Sequence, residues 1–115
     1  MDITQLEQLV VSALEDIKAK DIQVIDTTRI SALFERVVIA SGDSNRQTRA
    51  LARSVFFFKR ETAYEIIGIE GEGSGEWVLV DLGAIVVHIM QPAVRSYYNL
   101  EELWAATPAR PRRAA

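Results

Sequence analysis

Residues 68–76 (GIEGEGSGE) and the directly following residues 77–90 (WVLVDLGAIVVHIM) decide the fold of this chain. The first stretch is a glycine-rich acidic loop, which we expect to be flexible. The second is two nearly continuous apolar strands, 76–82 and 84–90, divided by a turn at Gly83. Strands this apolar belong in the interior of a sheet. We therefore expect the core of the protein to be built on them.

The remaining elements are predicted by working outward from this pair. Helical spacing predicts amphipathic helices over residues 4–19 and 45–62, opened by the capping-box patterns Thr4–Glu7 and Ser44–Gln47. β-Branched runs predict strands over 22–26, 34–40 and 64–69, and Pro92 starts a short helical turn. The order α-β-β-α-β-β-β-α indicates an α/β (α+β) fold with a mixed five-stranded sheet. Because residues 37–40 and 78–80 lack polar alternation, we expect the two long helices to cover the sheet, at least partly, on both faces.

Length and composition indicate one domain. The chain has 115 residues, of which 49% are hydrophobic, enough for one core and too few for two. We assign the domain to residues 4–104 and expect the tail 105–115, which holds two of the three prolines, to be disordered. No cysteine is available for a disulfide or a thiolate metal site, and no apolar run approaches the ~20 residues of a membrane span. These features favour a cytoplasmic protein over a secreted or membrane protein.

Charge is segregated along the chain. Residues 61–104 carry eight acidic side chains against one basic one, Arg95, whereas residues 17–60 carry nine basic side chains against four acidic ones. The formal net charge of -3 hides this asymmetry. An acidic surface attracts basic partners and repels phosphate backbones.

Strand parity predicts a binding surface. Trp77, Leu79 and Asp81 share one face of their strand, and an aromatic anchor, an aliphatic neighbour and a carboxylate together form a hot spot for a partner that carries lysine or arginine. The alternative is that Trp77 belongs to the core and that Asp81 caps the turn at Gly83.

Further candidates flank this strand. His88 is the only histidine, and we place it at the edge of the binding surface; a lone histidine on an apolar strand is usually structural, and a metal site is not expected. Tyr98, Leu100 and Glu101 follow a helical turn that should return to the strand pair, whereas Leu103 and Trp104 should close the core.

A basic stripe is predicted on the second helix. Arg46, Arg49, Arg53 and Arg60 are spaced by three, four and seven residues, which places them on one side of the helix. Most such stripes are solvated. The alternatives are contact with RNA or with the acidic half of a second copy, as a homodimer.

The residues discussed so far also carry a resemblance. Residues 77–83 and 86–90, followed by Arg95, Tyr98, 100–101 and 103–104, resemble the ribosomal silencing factor family, also called the Iojap or YbeB-like family. Asp21, Asp26, the turn 40–44 with Arg46, and residues 68–71 extend the resemblance upstream, so that it covers roughly residues 4–104. The departures are Gln47, where a histidine is common, and the basic tail.

The resemblance implies a translation repressor that is not an enzyme and needs no cofactor. Members of the family bind ribosomal protein number fourteen of the large subunit, on the face that would meet the small subunit, and so prevent the subunits from joining. The implied fold is related to the nucleotidyltransferase sheet without its catalytic motif. The resemblance favours Trp77, Leu79 and Asp81 as binding residues over their structural alternatives. The full set of predicted partner-binding residues lies in the acidic loop, on the strand pair and in the turn after it: Glu70, Trp77, Leu79, Asp81, His88, Tyr98, Leu100 and Glu101.

The rival function is an enzyme acting on nucleotides. Residues 42–44 (GDS) lie at a helix N-terminus, where amides hold phosphate, and Glu70 with Glu72 offers an acidic pair for magnesium. However, the pair lies in a glycine loop more than twice as far from the serine as a nucleotidyltransferase places it. The glycines at 71, 73 and 75 are followed by a strand, not by the helix that a dinucleotide fingerprint requires.

Overall fold

The computed structural model describes residues 2–58 and 67–105 of the chain. Four helices are present in this part: α1 (Ile3–Asp16), α2 (Asn45–Phe58), α3 (Pro92–Tyr98) and α4 (Leu100–Ala105). Five strands accompany them: β1 (Lys20–Asp26), β2 (Arg36–Ser41), β3 (Gly68–Glu70), β4 (Trp77–Asp81) and β5 (Ile85–Met90).

The strands form one mixed sheet in the order β1-β2-β5-β4-β3. β2 and β5 pair in parallel, and the other three pairs are antiparallel. β2 and β5 therefore lie at the centre, which explains why β2 is almost wholly buried. The prediction of a mixed five-stranded sheet with helices packed on it is confirmed.

The two long helices lie on the same face of the sheet. Apolar side chains of α1 and α2 join one cluster with alternate residues of the strands, among them Val38, Val78 and Val80. The expectation that these helices cover both faces is therefore wrong. The second face carries a smaller cluster, in which the short helices α3 and α4 pack over β2 and β5. The apolar run in β2 predicted two covered faces, but not which helices cover them.

The helix ends follow from local hydrogen bonds. α1 begins one residue earlier than predicted because Asp2 and Gln5, not Thr4 and Glu7, form the capping box. It ends at Asp16, and Lys18 then adopts a left-handed conformation (φ 63°) that starts the turn into β1. At α2, Ser44 Oγ accepts the N–H of Gln47, while the Gln47 side chain reaches back to the N–H of Asp43.

Arg95 joins the two short helices to the sheet. It is buried, its Nη1 donates to Ser41 Oγ at 2.8 Å, and its Nε donates to Glu101 Oε2 at 2.7 Å. Asn99, in a left-handed conformation (φ 49°), divides α3 from α4. This network holds both helices over β2 and β5, and their packing reaches β4 at Trp77.

Several predicted segments reach beyond the described residues. The end of the second helix and the start of the strand 64–69 fall at positions 59–66, and all but the first residue of the predicted tail falls at 106–115. Position 105 is the last residue of α4. No helix in the described residues has the length and apolar character needed to cross a membrane.

Candidate functional site

The sheet register brings distant residues of the predicted site together. Leu79 in β4 lies opposite Glu70 in β3 on one side and opposite His88 in β5 on the other. Asp81 lies two residues along β4 on the same face, and Trp77 two residues in the other direction. We call this surface the open face; it consists of Glu70, Trp77, Leu79, Asp81, His88 and, from α3, Tyr98.

Strand β4 is buried on one side and partly exposed on the other, because its two sides have different neighbours. Val78 and Val80 point to α1 and α2 and are fully buried, whereas Trp77, Leu79 and Asp81 are partly exposed. The central half of the same face is covered by Val94, Leu100 and Trp104, which pack on Val37, Ile39 and Met90. Trp77 touches this covered cluster and marks its boundary.

Trp77 is neither a fully exposed anchor nor a core residue. Its Nε1–H donates to Nδ1 of His88 at 3.0 Å, and its ring lies 4.8 Å from the ring of Tyr98 between centroids. Trp77 is thus partly buried, and its role as an anchor for a partner stays a prediction. His88 and Tyr98 fix the orientation of the indole while one side of it stays accessible.

His88 lies on β5 between Leu79 of β4 and Ile39 of β2, on the side of the open face that meets the covered cluster. Because Nδ1 accepts the Trp77 N–H, the neutral ring carries its proton on Nε2. Burial lowers the pKa of His88 from 6.5 to about 4, since a charged imidazolium would lose its hydration there. At neutral pH this residue therefore contributes an uncharged, oriented ring to the site.

Asp81 has the capping role that was the alternative interpretation. Its Oδ1 accepts the N–H of Gly83 at 2.8 Å, and Gly83 has a positive φ of 82°, which suits glycine. The carboxylate remains partly exposed on the open face. It is thereby held in place by the turn without losing its position on the predicted surface.

Leu100 and Glu101 are committed to internal contacts. Leu100 packs on the covered cluster, and Glu101 pairs with the buried Arg95. The structure therefore does not bring these two residues to the open face, although it does bring Tyr98 there.

The loop predicted to be flexible is fastened to α2. Arg49 donates through Nε to the carbonyl of Glu72 at 2.8 Å and through Nη2 to that of Gly73 at 3.0 Å. The Thr48 hydroxyl donates to the carbonyl of Gly75. A Cβ at Gly75 would lie 2.9 Å from that of Asn45, so this position of the loop packs against α2 only as glycine. This loop leads directly into Trp77.

The basic stripe is accordingly not a uniformly solvated face. Arg49 holds the loop, and Arg53 lies 3.9 Å from the carboxylate of Glu72. Arg46 is exposed, and Arg60 lies outside the described residues. Contact between the basic stripe and the acidic loop of the same chain was not among the predicted alternatives. Arg49 donates to backbone carbonyls, which every residue has, so the sequence does not mark its acceptors.

The features of the rival enzyme do not converge. Glu72 is turned toward Arg53, Asp43 pairs with Lys20 at 2.7 Å, and Ser44 caps α2. In the residues that the structure describes, no cluster of three or more acidic, histidine or cysteine side chains could hold a metal ion.

One exposed residue of the site was missed by sequence reasoning. Tyr97 is 81% exposed, and its ring meets that of Tyr98 edge-on at 5.0 Å. Its position next to Tyr98 in the sequence was the available signal. It pointed the other way, because neighbouring residues on a helix are not expected to share a surface.

Comparison with known proteins places the chain among ribosome-associated factors. A family model described as "Ribosomal silencing factor during starvation" matches residues 1–114. Ribosomal silencing factor RsfS of Chromobacterium violaceum is 54% identical over 104 residues, which cover 90% of this chain and 85% of that protein. The mouse protein named mitochondrial assembly of ribosomal large subunit protein 1 is 36% identical over 101 residues, 84% of this chain and 43% of that protein. A crystal structure of a C. violaceum protein, 50% identical, superposes with a TM-score of 0.89 and covers 100% of this chain and 94% of that one.

Proposed function

We propose, from the premise that this chain belongs to the ribosomal silencing factor family, that it binds ribosomal protein number fourteen of the large subunit through the open face. Bound there, on the surface that meets the small subunit, it prevents the two subunits from joining. Regulation of translation is the function that the family's name indicates; the partner and the block to joining are our proposal.

The chemistry of the open face is the observation that carries this proposal. The face combines a fixed aromatic anchor, Trp77, with an aliphatic neighbour, Leu79, and a fixed carboxylate, Asp81. Interfaces concentrate their binding energy in a few anchors, tryptophan prominent among them, when a ring of other contacts excludes water. Because the indole and the carboxylate are already oriented, little side-chain entropy is lost on binding.

The charge of the same region supports a basic partner. Residues 67–105 contain six acidic side chains and one basic one, Arg95, which is buried and paired with Glu101. Ribosomal proteins are basic because they bind RNA. An acidic surface accelerates their association and orients their approach. The name of the mouse relative, which refers to the large subunit, supports the choice of subunit.

The proposed mechanism requires only that the protein occupy the joining surface of the large subunit, without a catalysed reaction. A folded domain seated on the joining surface of the large subunit occupies the volume that the small subunit needs. Repression then depends on affinity and residence time, and release of the factor restores joining. The protein would act in the cytoplasm, where subunits join. Self-association when free and peripheral contact with ribosomal RNA stay predictions.

Sedimentation with separated ribosomal subunits tests the proposal. The protein should migrate with the large subunit and not with the small one, and adding it to a joining reaction should reduce the fraction of joined ribosomes. Migration with neither subunit would refute the proposed function.

A matched pair of leucine substitutions tests the face. Leu79→Ala removes a half-buried side chain from the middle of the open face, whereas Leu33→Ala removes one that is 84% exposed in the β1–β2 connection. We expect Leu79→Ala to weaken binding to the large subunit about tenfold and Leu33→Ala to leave it unchanged. Equal binding by the two variants would show that the binding site is not the open face.

A further inference from the structure

A ridge of three aromatic rings extends the open face. The rings of Tyr97 and Tyr98 meet edge-on at 86° with centroids 5.0 Å apart, and the ring of Tyr98 lies 4.8 Å from that of Trp77. Tyr97 and Tyr98 are 81% and 54% exposed. The rings run from the end of α3 to the start of β4, and we call them the aromatic ridge.

The ridge is held by the fold at its inner end. Trp77 is fixed by His88 and by the covered cluster, Tyr98 rests on Trp77, and Tyr97 rests on Tyr98. Tyr97 and Tyr98 are so exposed that burying their rings contributes little to the stability of the fold. Folding alone therefore does not explain why two exposed rings lie side by side here. Their exposed rings are available to a partner.

The electrostatics of the ridge favour a cation. The faces of aromatic rings are negative. Glu76 directly precedes Trp77, and Glu70 and Asp81 lie further along β3 and β4. Between residues 67 and 105 the sequence offers no basic side chain except Arg95. Arg95 points inward to Ser41 and Glu101, so it does not occupy the ridge.

Resting on the proposed function, we propose that the aromatic ridge binds an arginine side chain of the ribosomal partner. A guanidinium group is planar and weakly hydrated, so it stacks on an exposed ring and still donates hydrogen bonds to a neighbouring carboxylate. A lysine ammonium is more strongly hydrated and gains less. Tyr97 thereby becomes a specificity residue of the site, selecting arginine over lysine.

Variants of Tyr97 test the ring itself. Tyr97→Phe keeps the ring and Tyr97→Leu keeps only an apolar side chain, at a position exposed enough that neither should alter folding. We expect Tyr97→Phe to bind isolated large subunits within twofold of the wild type and Tyr97→Leu to bind about three- to thirty-fold more weakly. Phe56→Leu is the matched control, because Phe56 is an exposed ring in edge contact with Phe57 on α2, and it should bind like the wild type.

Competition by small cations tests the choice of arginine. At equal ionic strength, Nα-acetyl-arginine amide should reduce binding to the large subunit more than Nα-acetyl-lysine amide does, and it should shift the ring proton resonances of Tyr97. Equal competition by the two amides would show simple charge screening and overturn the proposal.

The outcomes separate this inference from the proposed function. If wild-type protein binds the large subunit and Tyr97→Leu binds equally well, the ridge is not a binding element, although the function stands. A loss in Tyr97→Phe as large as that in Tyr97→Leu would assign the effect to the hydroxyl and refute ring stacking. Failure of the wild type to bind the large subunit at all would overturn both.

Discussion

Acidification should destabilise this protein through His88. Burial places the folded-state pKa of His88 at about 4, against 6.5 for the unfolded chain. Between these values the unfolded state binds a proton that the folded state does not. The free energy of unfolding therefore falls as pH is lowered through this window and recovers as pH is raised.

The size of the effect follows from the two pKa values. A difference of about 2.5 units corresponds to about 3 kcal/mol when the window is fully crossed. Between pH 7 and pH 5 the contribution of His88 amounts to about 2 kcal/mol, since the unfolded histidine is then mostly protonated and the folded one is not. This is a large share of the stability of a small domain.

Urea unfolding at pH 7 and pH 5 measures this loss, with His88→Asn as the control. The asparagine keeps an acceptor for the Trp77 N–H but does not titrate. Wild type should lose about 2 kcal/mol more than the variant between the two pH values. His88 is the only histidine, so its imidazole resonances need no further assignment in an NMR titration. A midpoint near 6.5, or equal losses in both proteins, would refute the argument.

Three further substitutions test the contacts of the site. Trp77→Phe keeps a ring against Tyr98 but removes the donor to His88, so it should cost ~1–3 kcal/mol of unfolding free energy in urea denaturation. Arg49→Ala should speed amide hydrogen exchange in residues 71–76 about tenfold and leave the exchange of β5 unchanged. Arg46→Ala, the control, should leave the exchange of both segments unchanged. Asp81→Asn keeps an acceptor for the turn, so Tm should stay unchanged while dissociation from the large subunit accelerates by the equivalent of ~2–5 kcal/mol, measured by surface plasmon resonance.

The residues that share the open face within one strand were predictable, but their neighbours in other strands were not. Alternation along residues 77–81 follows from the two-residue period of any strand, and it separates Trp77 from Val78 without knowledge of the fold. Placing Glu70 and His88 on either side of Leu79 requires the pairing of three strands. Register between strands depends on the turns and on the buried face as a whole, which local pattern does not reveal.

Side chains that bind backbone carbonyls were the hardest to predict. The spacing of Arg49 and Arg53 correctly placed both on one side of α2, but the acceptors of Arg49 are carbonyls of Glu72 and Gly73, far along the chain. Every residue has a carbonyl, so nothing in the sequence marks these two. The same reasoning applies to the short helices: Leu100 and Trp104 were visibly apolar, but only the sheet topology shows that they cover β2 and β5.

The six acidic side chains between residues 67 and 105 fall into three groups with different consequences for binding. Glu72 and Glu101 face Arg53 and Arg95, so their charges are partly neutralised within the protein. Glu70, Glu76 and Glu102 are exposed and form no ion pair within the described residues. Exposed charges act through a screened field of ~8 Å at physiological ionic strength, so these three should set the association rate and its salt dependence. Trp77, Leu79 and Asp81 are half-buried and held by neighbours, which suits them to set the dissociation rate. The total acidic charge therefore overstates the steering field, and the few oriented side chains of the open face decide how long the complex lasts.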